Sequence, residues 1–192
     1  MKRVVVLGST GSIGRNTLEV IASHPDRLQL VGIASRSRID VLAQQAARFD
    51  PPTNMVGGGV NPLRVAVWDP QRAQELSRMM GGRVVAAGAQ GLIELATHPD
   101  VDMVVMATSG RDALIPLIQA IQAGKQIALA SKELLVMAGS LIMRLVEEHG
   151  THLVPIDSEH VALFQCLQGL AKAQVARLVI TGSGGPLWGL PA

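Results

Sequence analysis

The acidic segment "DSEH", residues 157–160, carries groups well suited to metal chemistry. Asp157 and Glu159 are two residues apart and follow an apolar run. On an extended backbone both carboxylates would point to the same side, where they could hold a divalent cation. Carboxylate oxygens favour Mg²⁺ or Mn²⁺ over Zn²⁺, and we expect a third ligand from elsewhere in the chain. The alternative is a helix from His160 that is capped by Asp157 or Ser158, with Glu159 in its first turn.

A glycine-rich turn near the amino terminus is a second candidate site. In "VVVLGSTGSIG" an apolar run enters Gly8, Gly11 and Gly14, and an amphipathic segment follows. Glycines at such a turn let the backbone approach a pyrophosphate at the amino end of a helix. Thr10 and Ser12 could add hydroxyl donors to the same anion. The alternative is a turn that only packs the helix against its strand.

The segment after the second apolar run indicates which dinucleotide would bind. Sites that prefer NAD place an acidic residue about 20 residues after the glycines, on the ribose 2′-hydroxyl. Here the run ends in Ser35, Arg36, Ser37 and Arg38. A guanidinium with neighbouring hydroxyls suits a 2′-phosphate instead, because Arg forms charge-assisted hydrogen bonds to phosphate. We therefore predict NADPH as the cofactor.

Two later segments could also contact ligands. "ASKELL" places Ser131, Lys132 and Glu133 after an apolar run, where ligands of open α/β sheets bind. Lys132 could hold a substrate anion or polarise a carbonyl. The alternative is that Ser131 caps a helix and that the Glu133 carboxylate interacts favourably with the positive amino end of that helix. In "ITGSGGP" the glycines around Ser183 could turn backbone N–H groups toward an anion, and a plain turn is the alternative.

Short apolar runs alternate with longer amphipathic segments, which predicts an α/β fold with a doubly wound parallel sheet. A loop rich in proline and glycine, residues 50–62, interrupts the alternation. The predicted strands are 4–7, 30–34, 65–68, 84–86, 103–106, 127–129, 153–156 and 178–181. The predicted helices are 12–23, 39–48, 70–80, 92–97, 112–123, 132–149 and 160–170.

The composition argues against several classes of protein. Aromatic residues make up 2% of the 192 residues and basic residues do not cluster, so we expect no nucleic-acid binding. No apolar stretch approaches the ~18 residues of a membrane span, so we expect no membrane segment. The single cysteine, Cys166, suits a reducing cytoplasm and is interpreted as a small core residue.

The order of the motifs "GSTGSIG", "ALASKELLV", "PIDSEHVALFQCL" and "ITGSGGP" resembles that of the 1-deoxy-D-xylulose 5-phosphate reductoisomerase family. The resemblance implies a Rossmann-like, mostly parallel sheet that binds NADPH in residues 1–150. It also implies the beginning of a catalytic, metal-binding α+β domain in residues 151–192. The implied reaction rearranges and reduces 1-deoxy-D-xylulose 5-phosphate to 2-C-methyl-D-erythritol 4-phosphate in non-mevalonate isoprenoid biosynthesis. Mg²⁺, Mn²⁺ or Co²⁺ would be the metal, and the full-length protein would be a homodimer.

The resemblance also assigns roles to single residues. The cofactor contacts it implies are Thr10, Gly11, Ser12, Ile13, Ser35, Arg36, Ser37, Ser131 and Glu133, to which the glycine pattern adds Gly8 and Gly14. The substrate contacts are Lys132, Ser158, Glu159 and Ser183, of which Lys132 and Glu159 would be catalytic. The metal ligands are Asp157 and Glu159.

The chain departs from the usual pattern of this family at several points. Ser131 stands where Asn is usual, Leu187 stands where Phe is usual, and the loop 50–62 resembles an insertion. The family is about twice as long, and its later half supplies a third carboxylate ligand. We therefore expect a truncated chain with weakened NADPH binding, weak metal binding and little or no turnover.

Two alternatives stay open at this point. One is another oxidoreductase of the same fold, resembling aspartate-semialdehyde dehydrogenase. That reading needs a nucleophilic cysteine, which Cys166, within a helical pattern, fits poorly. The other is a nucleotide-binding or regulatory module that binds NADPH without catalysis.

Overall fold

A computed structural model describes residues 1–50, 61–108 and 110–180 of the chain. The strands in this part are β1 Lys2–Leu7, β2 Leu28–Ser35, β3 Arg64–Val67, β4 Ala86–Ala87, β5 Met103–Met106, β6 Gln126–Leu129 and β7 Leu153–Pro155. The helices are α1 Ser12–Ser23, α2 Ile39–Phe49, α3 Pro70–Met79, α4 Gly88–Thr97, α5 Leu114–Gln122, α6 Lys132–Glu148 and α7 Ser158–Cys166. Short 3₁₀ turns lie at Arg111–Ala113 and Lys172–Gln174.

The seven strands form one sheet in the order β4-β3-β2-β1-β5-β6-β7. Every neighbouring pair is parallel. The chain builds outward from β1 to β4 on one side, then returns to β5 on the other side of β1. Ligands of such sheets bind at the carboxyl ends of the strands, at this point of reversal. The predicted doubly wound α/β fold is confirmed.

The sheet is buried on both faces, as its nearly continuous apolar strands predict. Successive residues of β1 point to opposite faces. Val5 and Leu7 join a cluster of buried side chains with α4, α5 and α6. Val4 and Val6 join a second cluster with α1, α2 and α3. Helices therefore cover both faces, and the ends of the strands are where the protein can contact a ligand.

Two predictions about local structure, one strand and the burial of Cys166, need correction. The predicted strand 178–181 is wrong for its described residues, because 178–180 form no strand and their side chains are 54–69% exposed. Strand propensity alone does not make a strand when no neighbour pairs with its backbone. Cys166 is exposed rather than in the core, because α7 buries none of its residues in the described structure. The division at residue 150 stays a prediction, and β7 pairs with β6 in the same sheet.

An ion pair fastens the amino-terminal edge of the sheet, opposite the predicted site. Asp102 accepts hydrogen bonds from the backbone N–H of Arg3 at 2.7 Å and from its guanidinium at 2.9 and 3.1 Å. The Arg3 side chain lowers the pKa of Asp102 to about 2. Because folding lowers the pKa of this carboxyl, the ion pair stabilises the folded protein. That stabilisation is complete above the pKa of Asp102 in the unfolded chain and is lost as the pH falls toward 2.

Substitution Asp102→Asn is expected to destabilise the fold at neutral pH. The pair is partly exposed, so we expect about 1 kcal/mol, or roughly 2–4 °C in melting temperature. Thermal unfolding followed by circular dichroism at pH 7, 5 and 3 should show this difference narrowing as the pH falls. Asp26→Asn, in an exposed turn before β2, is the control. A difference that is constant with pH would contradict this account.

Candidate functional site

The predicted site residues in the described part of the chain lie along the carboxyl edge of the sheet, because all strands run parallel. The glycine-rich turn follows β1, residues 35–37 end β2 and follow it, residues 131–133 follow β6, and residues 157–159 follow β7. A crevice lies over the end of β1 between the ends of β2 and β5. It is lined by Gly8, Thr10, Gly11, Ala34, Ser35, Arg36, Ser37, Arg38, Trp68, Leu92, Ala107, Thr108, Asp112 and Ala113.

The three glycines of the turn serve two different purposes. Gly8 has φ +89°, and a Cβ there would lie 2.5 Å from the Ala107 carbonyl oxygen. At Gly14 a Cβ would lie 2.2 Å from the Gly8 carbonyl oxygen, so no side chain fits between β1 and α1. At Gly11 the nearest atom that a Cβ would meet among the described residues is the Gly8 carbonyl oxygen, at 3.4 Å. Protein packing thus explains Gly8 and Gly14 but not Gly11, where a missing side chain only leaves space before the helix.

That space is suited to an anion. Gly11 is the N-cap of α1, and as a glycine it has no side chain that could cap the helix. The first-turn N–H groups of residues 12–14 therefore point out of the helix end, where an anion is favoured. Ser12 and Ile13 are exposed there. The Thr10 hydroxyl is buried and lies 2.8 Å from that of Ser35, so these two hydroxyls bind each other.

The turn is held in place by α2 and the residue before it. Ser9 donates to Gln45 Oε1 at 2.7 Å, and Gln45 Nε2 donates to the Ser9 carbonyl at 2.9 Å. The Arg38 guanidinium donates to the Thr10 carbonyl. These bonds fix the turn before any ligand arrives. Sequence reasoning missed Gln45, since nothing in an amphipathic helix distinguishes a buried glutamine from an exposed one.

Arg36 and Ser37 are exposed immediately after the end of β2. The Arg36 side chain is 72% exposed, and its Nη2 lies 3.5 Å from Asp112 Oδ2. Because the Ser35 hydroxyl is bound to Thr10, Arg36 and Ser37 are better placed than Ser35 to contact a phosphate. Of the predicted 2′-phosphate contacts, the structure thus places two at the surface of the crevice and one beneath it.

Seven residues of the crevice were not singled out from sequence, and three of them carry polar side-chain groups: Trp68, Thr108 and Asp112. Trp68 and Thr108 lie just beyond β3 and β5, so strand ends alone could have signalled them. The Thr108 hydroxyl is buried and has no hydrogen-bond partner among the described residues. Asp112 lies in the 3₁₀ turn before α5, and only the fold brings it opposite Arg36.

Ser131 links the ends of β5 and β6. It is the N-cap residue of α6, but its side chain makes no capping bond. Its hydroxyl donates instead to the Thr108 carbonyl, because β5 and β6 are neighbours. The interpretation of Ser131 as a side-chain cap is therefore wrong. Glu133 is exposed in the first turn of α6, as the alternative for that residue predicted.

The acidic segment forms the start of a helix. Asp157 is the N-cap of α7, and its Oδ1 accepts from the His160 N–H at 3.1 Å and lies 2.8 Å from His160 Nδ1. The expectation of an extended backbone through Glu159 is wrong, because this cap starts α7 at Ser158. The capping interpretation is confirmed. Within the described residues both side-chain hydrogen bonds of Asp157 use Oδ1, which leaves Oδ2 available.

Glu159 links the ends of β6 and β7. Its Oε2 accepts from the Ser158 hydroxyl at 2.7 Å and from Lys132 Nζ at 3.3 Å. The Ser158 hydrogen bond, a backbone N–H and Lys132 together lower the pKa of Glu159 to about 2. The carboxylate is therefore ionised at any neutral pH and is in contact with the predicted substrate lysine.

The carboxylates of Asp157 and Glu159 are oxygen donors of the kind that a hard divalent cation prefers, but they are only two. No group of three His, Cys, Asp or Glu side chains is placed to hold a metal in the part of the chain that the structure describes. Asp157 and Glu159 would supply two carboxylates, and Mg²⁺ often takes one or two together with water and phosphate oxygens. Ser183 lies outside the described residues.

Among the residues that the structure describes, no helix is long and apolar enough to cross a bilayer.

A parallel sheet whose glycine-rich turn opens a crevice at the point of reversal defines the class of Rossmann-like nucleotide-binding proteins. The profile described as 1-deoxy-D-xylulose 5-phosphate reductoisomerase matches residues 4–139, and that of the reductoisomerase C-terminal domain matches residues 153–192. The chain belongs to the 1-deoxy-D-xylulose 5-phosphate reductoisomerase family. The resemblance predicted from the motifs is confirmed.

Individual relatives agree with this assignment. The reductoisomerase of Geotalea uraniireducens (strain Rf4) is 44% identical over 194 residues, which cover 100% of this chain and 47% of that protein. The solved Zymomonas mobilis reductoisomerase in complex with NADPH aligns with a TM-score of 0.77 and 38% identity, over 88% of this chain and 42% of that one. A DOX-P reductoisomerase in complex with NADPH, fosmidomycin and magnesium aligns with a TM-score of 0.78 and 36% identity, over 88% and 40%. The chain spans about half the length of the relatives it matches.

Proposed function

We propose that this chain binds NADPH in the crevice at the end of β1. The pyrophosphate would lie against residues 10–14, and the 2′-phosphate against Arg36 and Ser37. The observation that carries the proposal is Gly11, where glycine serves no packing purpose and an uncapped helix end lies behind it. The bound NADPH of the Zymomonas mobilis relative supports the same choice of cofactor.

We further propose that the ends of β6 and β7 contribute to the metal and substrate site. Asp157 and Glu159 would hold Mg²⁺ or Mn²⁺, which when bound would polarise substrate oxygens as a Lewis acid. Lys132 and Ser158 already contact Glu159, so they would meet a substrate oxygen beside that carboxylate. Ser131 and Glu133, which precede and follow Lys132, would contact the cofactor. Ser183 is assigned to the substrate by its motif alone.

The reaction that this site would serve is the conversion of 1-deoxy-D-xylulose 5-phosphate to 2-C-methyl-D-erythritol 4-phosphate in isoprenoid biosynthesis. It combines a carbon–carbon rearrangement of the ketol phosphate with a reduction of the resulting aldehyde, for which bound NADPH would supply the hydride. The residues of this chain would bind the two reactants side by side, since the ends of β5 and β6 are joined through Ser131 and Thr108. The wider expectations of a homodimer and a cytoplasmic location stay predictions.

Metal binding by the acidic segment can be tested directly with Mn²⁺. Electron paramagnetic resonance of free Mn²⁺ should report weak binding by the chain. The double change Asp157→Asn with Glu159→Gln should lower the Mn²⁺ affinity by roughly tenfold or more. Substitution of residues that only hydrogen-bond to a metal ligand commonly lowers metal affinity by that much. With NADPH, Mn²⁺ and 1-deoxy-D-xylulose 5-phosphate added, we expect little oxidation of NADPH by the 192-residue chain.

The matched control is Glu147→Gln with Glu148→Gln, which removes two exposed carboxylates from the end of α6. Equal losses of Mn²⁺ binding in the two double variants would contradict the proposed ligands. Binding of NADPH without metal-dependent turnover would be compatible with the regulatory-module alternative. Loss of Mn²⁺ binding in the Asp157→Asn, Glu159→Gln variant but not in the control would favour a metal-dependent enzyme.

A further inference from the structure

Asp112 is the feature of the crevice that the proposed function leaves unexplained. Its carboxylate faces Arg36, the group proposed to bind the 2′-phosphate, with Oδ2 3.5 Å from Nη2. The two side chains come from opposite sides of β1, because Arg36 follows β2 and Asp112 lies beyond β5 in the order β2-β1-β5. An anion bound on Arg36 would therefore lie beside a second anion.

The geometry argues that this carboxylate does little to orient Arg36. The separation of 3.5 Å is longer than the 2.7–2.9 Å of a strong charge-assisted hydrogen bond. The Arg36 side chain is 72% exposed, and such surface pairs contribute little to holding a side chain in place. Asp112 itself is only 33% exposed, so it sits deeper in the crevice than the guanidinium it faces.

We infer that Asp112 is a specificity-determining residue that reduces the preference of the site for NADPH over NADH. The inference rests on the proposed function, because it assumes that Arg36 receives the 2′-phosphate. With NADPH, the phosphate and the carboxylate share one guanidinium and repel each other. With NADH, the same carboxylate can accept a hydrogen bond from the ribose 2′-hydroxyl, as acidic residues do in NAD sites.

Substitution Asp112→Asn tests the inference, because it keeps the size of the side chain and removes its charge. Dissociation constants for NADPH and NADH would be measured by nicotinamide fluorescence on the 192-residue chain. The ratio of NADPH to NADH affinity is expected to rise by roughly threefold to tenfold at low ionic strength. The increase should shrink at about 0.5 M salt, since exposed charges are then largely screened.

Glu148→Gln is the matched control, since it removes one carboxylate from an exposed pair with Arg144 outside the crevice. It should leave the ratio unchanged. Arg36-dependent NADPH binding with an unchanged or lower ratio in Asp112→Asn would overturn this inference alone. Binding of neither nucleotide by the unmodified chain would overturn the proposed function and this inference with it.

Discussion

Substitution of Gly11 by alanine is expected to remove most of the affinity for NADPH while leaving the protein folded. A Cβ at this position meets the Gly8 carbonyl oxygen at 3.4 Å and that of Ala107 at 3.8 Å, which are ordinary contacts. The backbone there has φ −74° and ψ 174°, which alanine adopts without strain. The added methyl would instead occupy the space before the amino end of α1, where the pyrophosphate is proposed to lie.

The size of the loss follows from the hydrogen bonds at stake. A charged acceptor displaced from a helix N-terminus loses bonds worth about 1.5–3 kcal/mol each, so NADPH affinity should fall roughly tenfold to hundredfold. Isothermal titration of the variant with NADPH would measure the loss, and its melting temperature would report the fold. An unchanged affinity would show that the pyrophosphate does not approach Gly11.

Gly14→Ala is the matched comparison for stability, because here the main expected effect is on the fold. Here the new Cβ would lie 2.2 Å from the Gly8 carbonyl oxygen and 2.6 Å from Ser9 Cα, both backbone atoms that cannot rotate away. We expect a loss of about 3 kcal/mol of stability or more, from overpacking between β1 and α1. Equal stability of the two variants would contradict the separate purposes assigned to Gly11 and Gly14.

Substitution Arg36→Ala is expected to lower the affinity for NADPH by roughly tenfold to hundredfold, because a hydrogen bond to a charged group is worth about 1.5–3 kcal/mol. The affinity for NADH should change little, since NADH has no 2′-phosphate. The two dissociation constants, measured on the same preparation, separate this effect from general damage to the site. Removal of Arg36 also leaves Asp112 without the guanidinium it faces, which adds to the penalty for NADPH.

Arg72→Ala provides a control of the same charge change, because Arg72 lies on α3 in an exposed pair with Glu75. It should change both nucleotide affinities only slightly, because Arg72 does not line the crevice and would act only through the net charge of the protein. If Arg36→Ala changed the affinities for NADPH and NADH by the same factor, the assignment of the 2′-phosphate to Arg36 would be wrong.

The sheet could be predicted because its physical signals are local. Each buried strand is a short apolar run, and each helix repeats its apolar residues along one face, so the alternation of the two is visible in the sequence. The parallel order then follows, because strands joined by helices must cross over the sheet. The predicted strand at 178–181 lacked the other requirement, a neighbouring strand, and propensity could not supply that information.

The site was predicted as a set of segments rather than as an arrangement. Parallel strands bring residues 10–14, 35–37, 131–133 and 157–159 to one edge, so their grouping follows from the fold class. The partners of individual side chains do not. The bonds of Gln45 to Ser9 and of Ser131 to the Thr108 carbonyl join residues far apart in sequence.

Capping decided the acidic segment in the same way. The sequence left extended and helical forms of residues 157–160 open, because carboxylates suit a metal and a helix start equally well. The side chain of Asp157 bonds to the His160 N–H and starts α7. A metal role for Asp157 must therefore coexist with its role as a cap, which Oδ2 allows because it accepts no hydrogen bond from the residues that the structure describes.

The most direct test of the central claim is the phosphorus NMR spectrum of NADPH with the unmodified chain. A phosphate monoester has a second pKa of about 6, and a nearby guanidinium lowers it by stabilising the dianion. We predict that the 2′-phosphate resonance moves on binding and titrates at lower pH than in free NADPH. A 2′-phosphate that keeps its free position and titration while the pyrophosphate resonances shift would contradict the contact with Arg36.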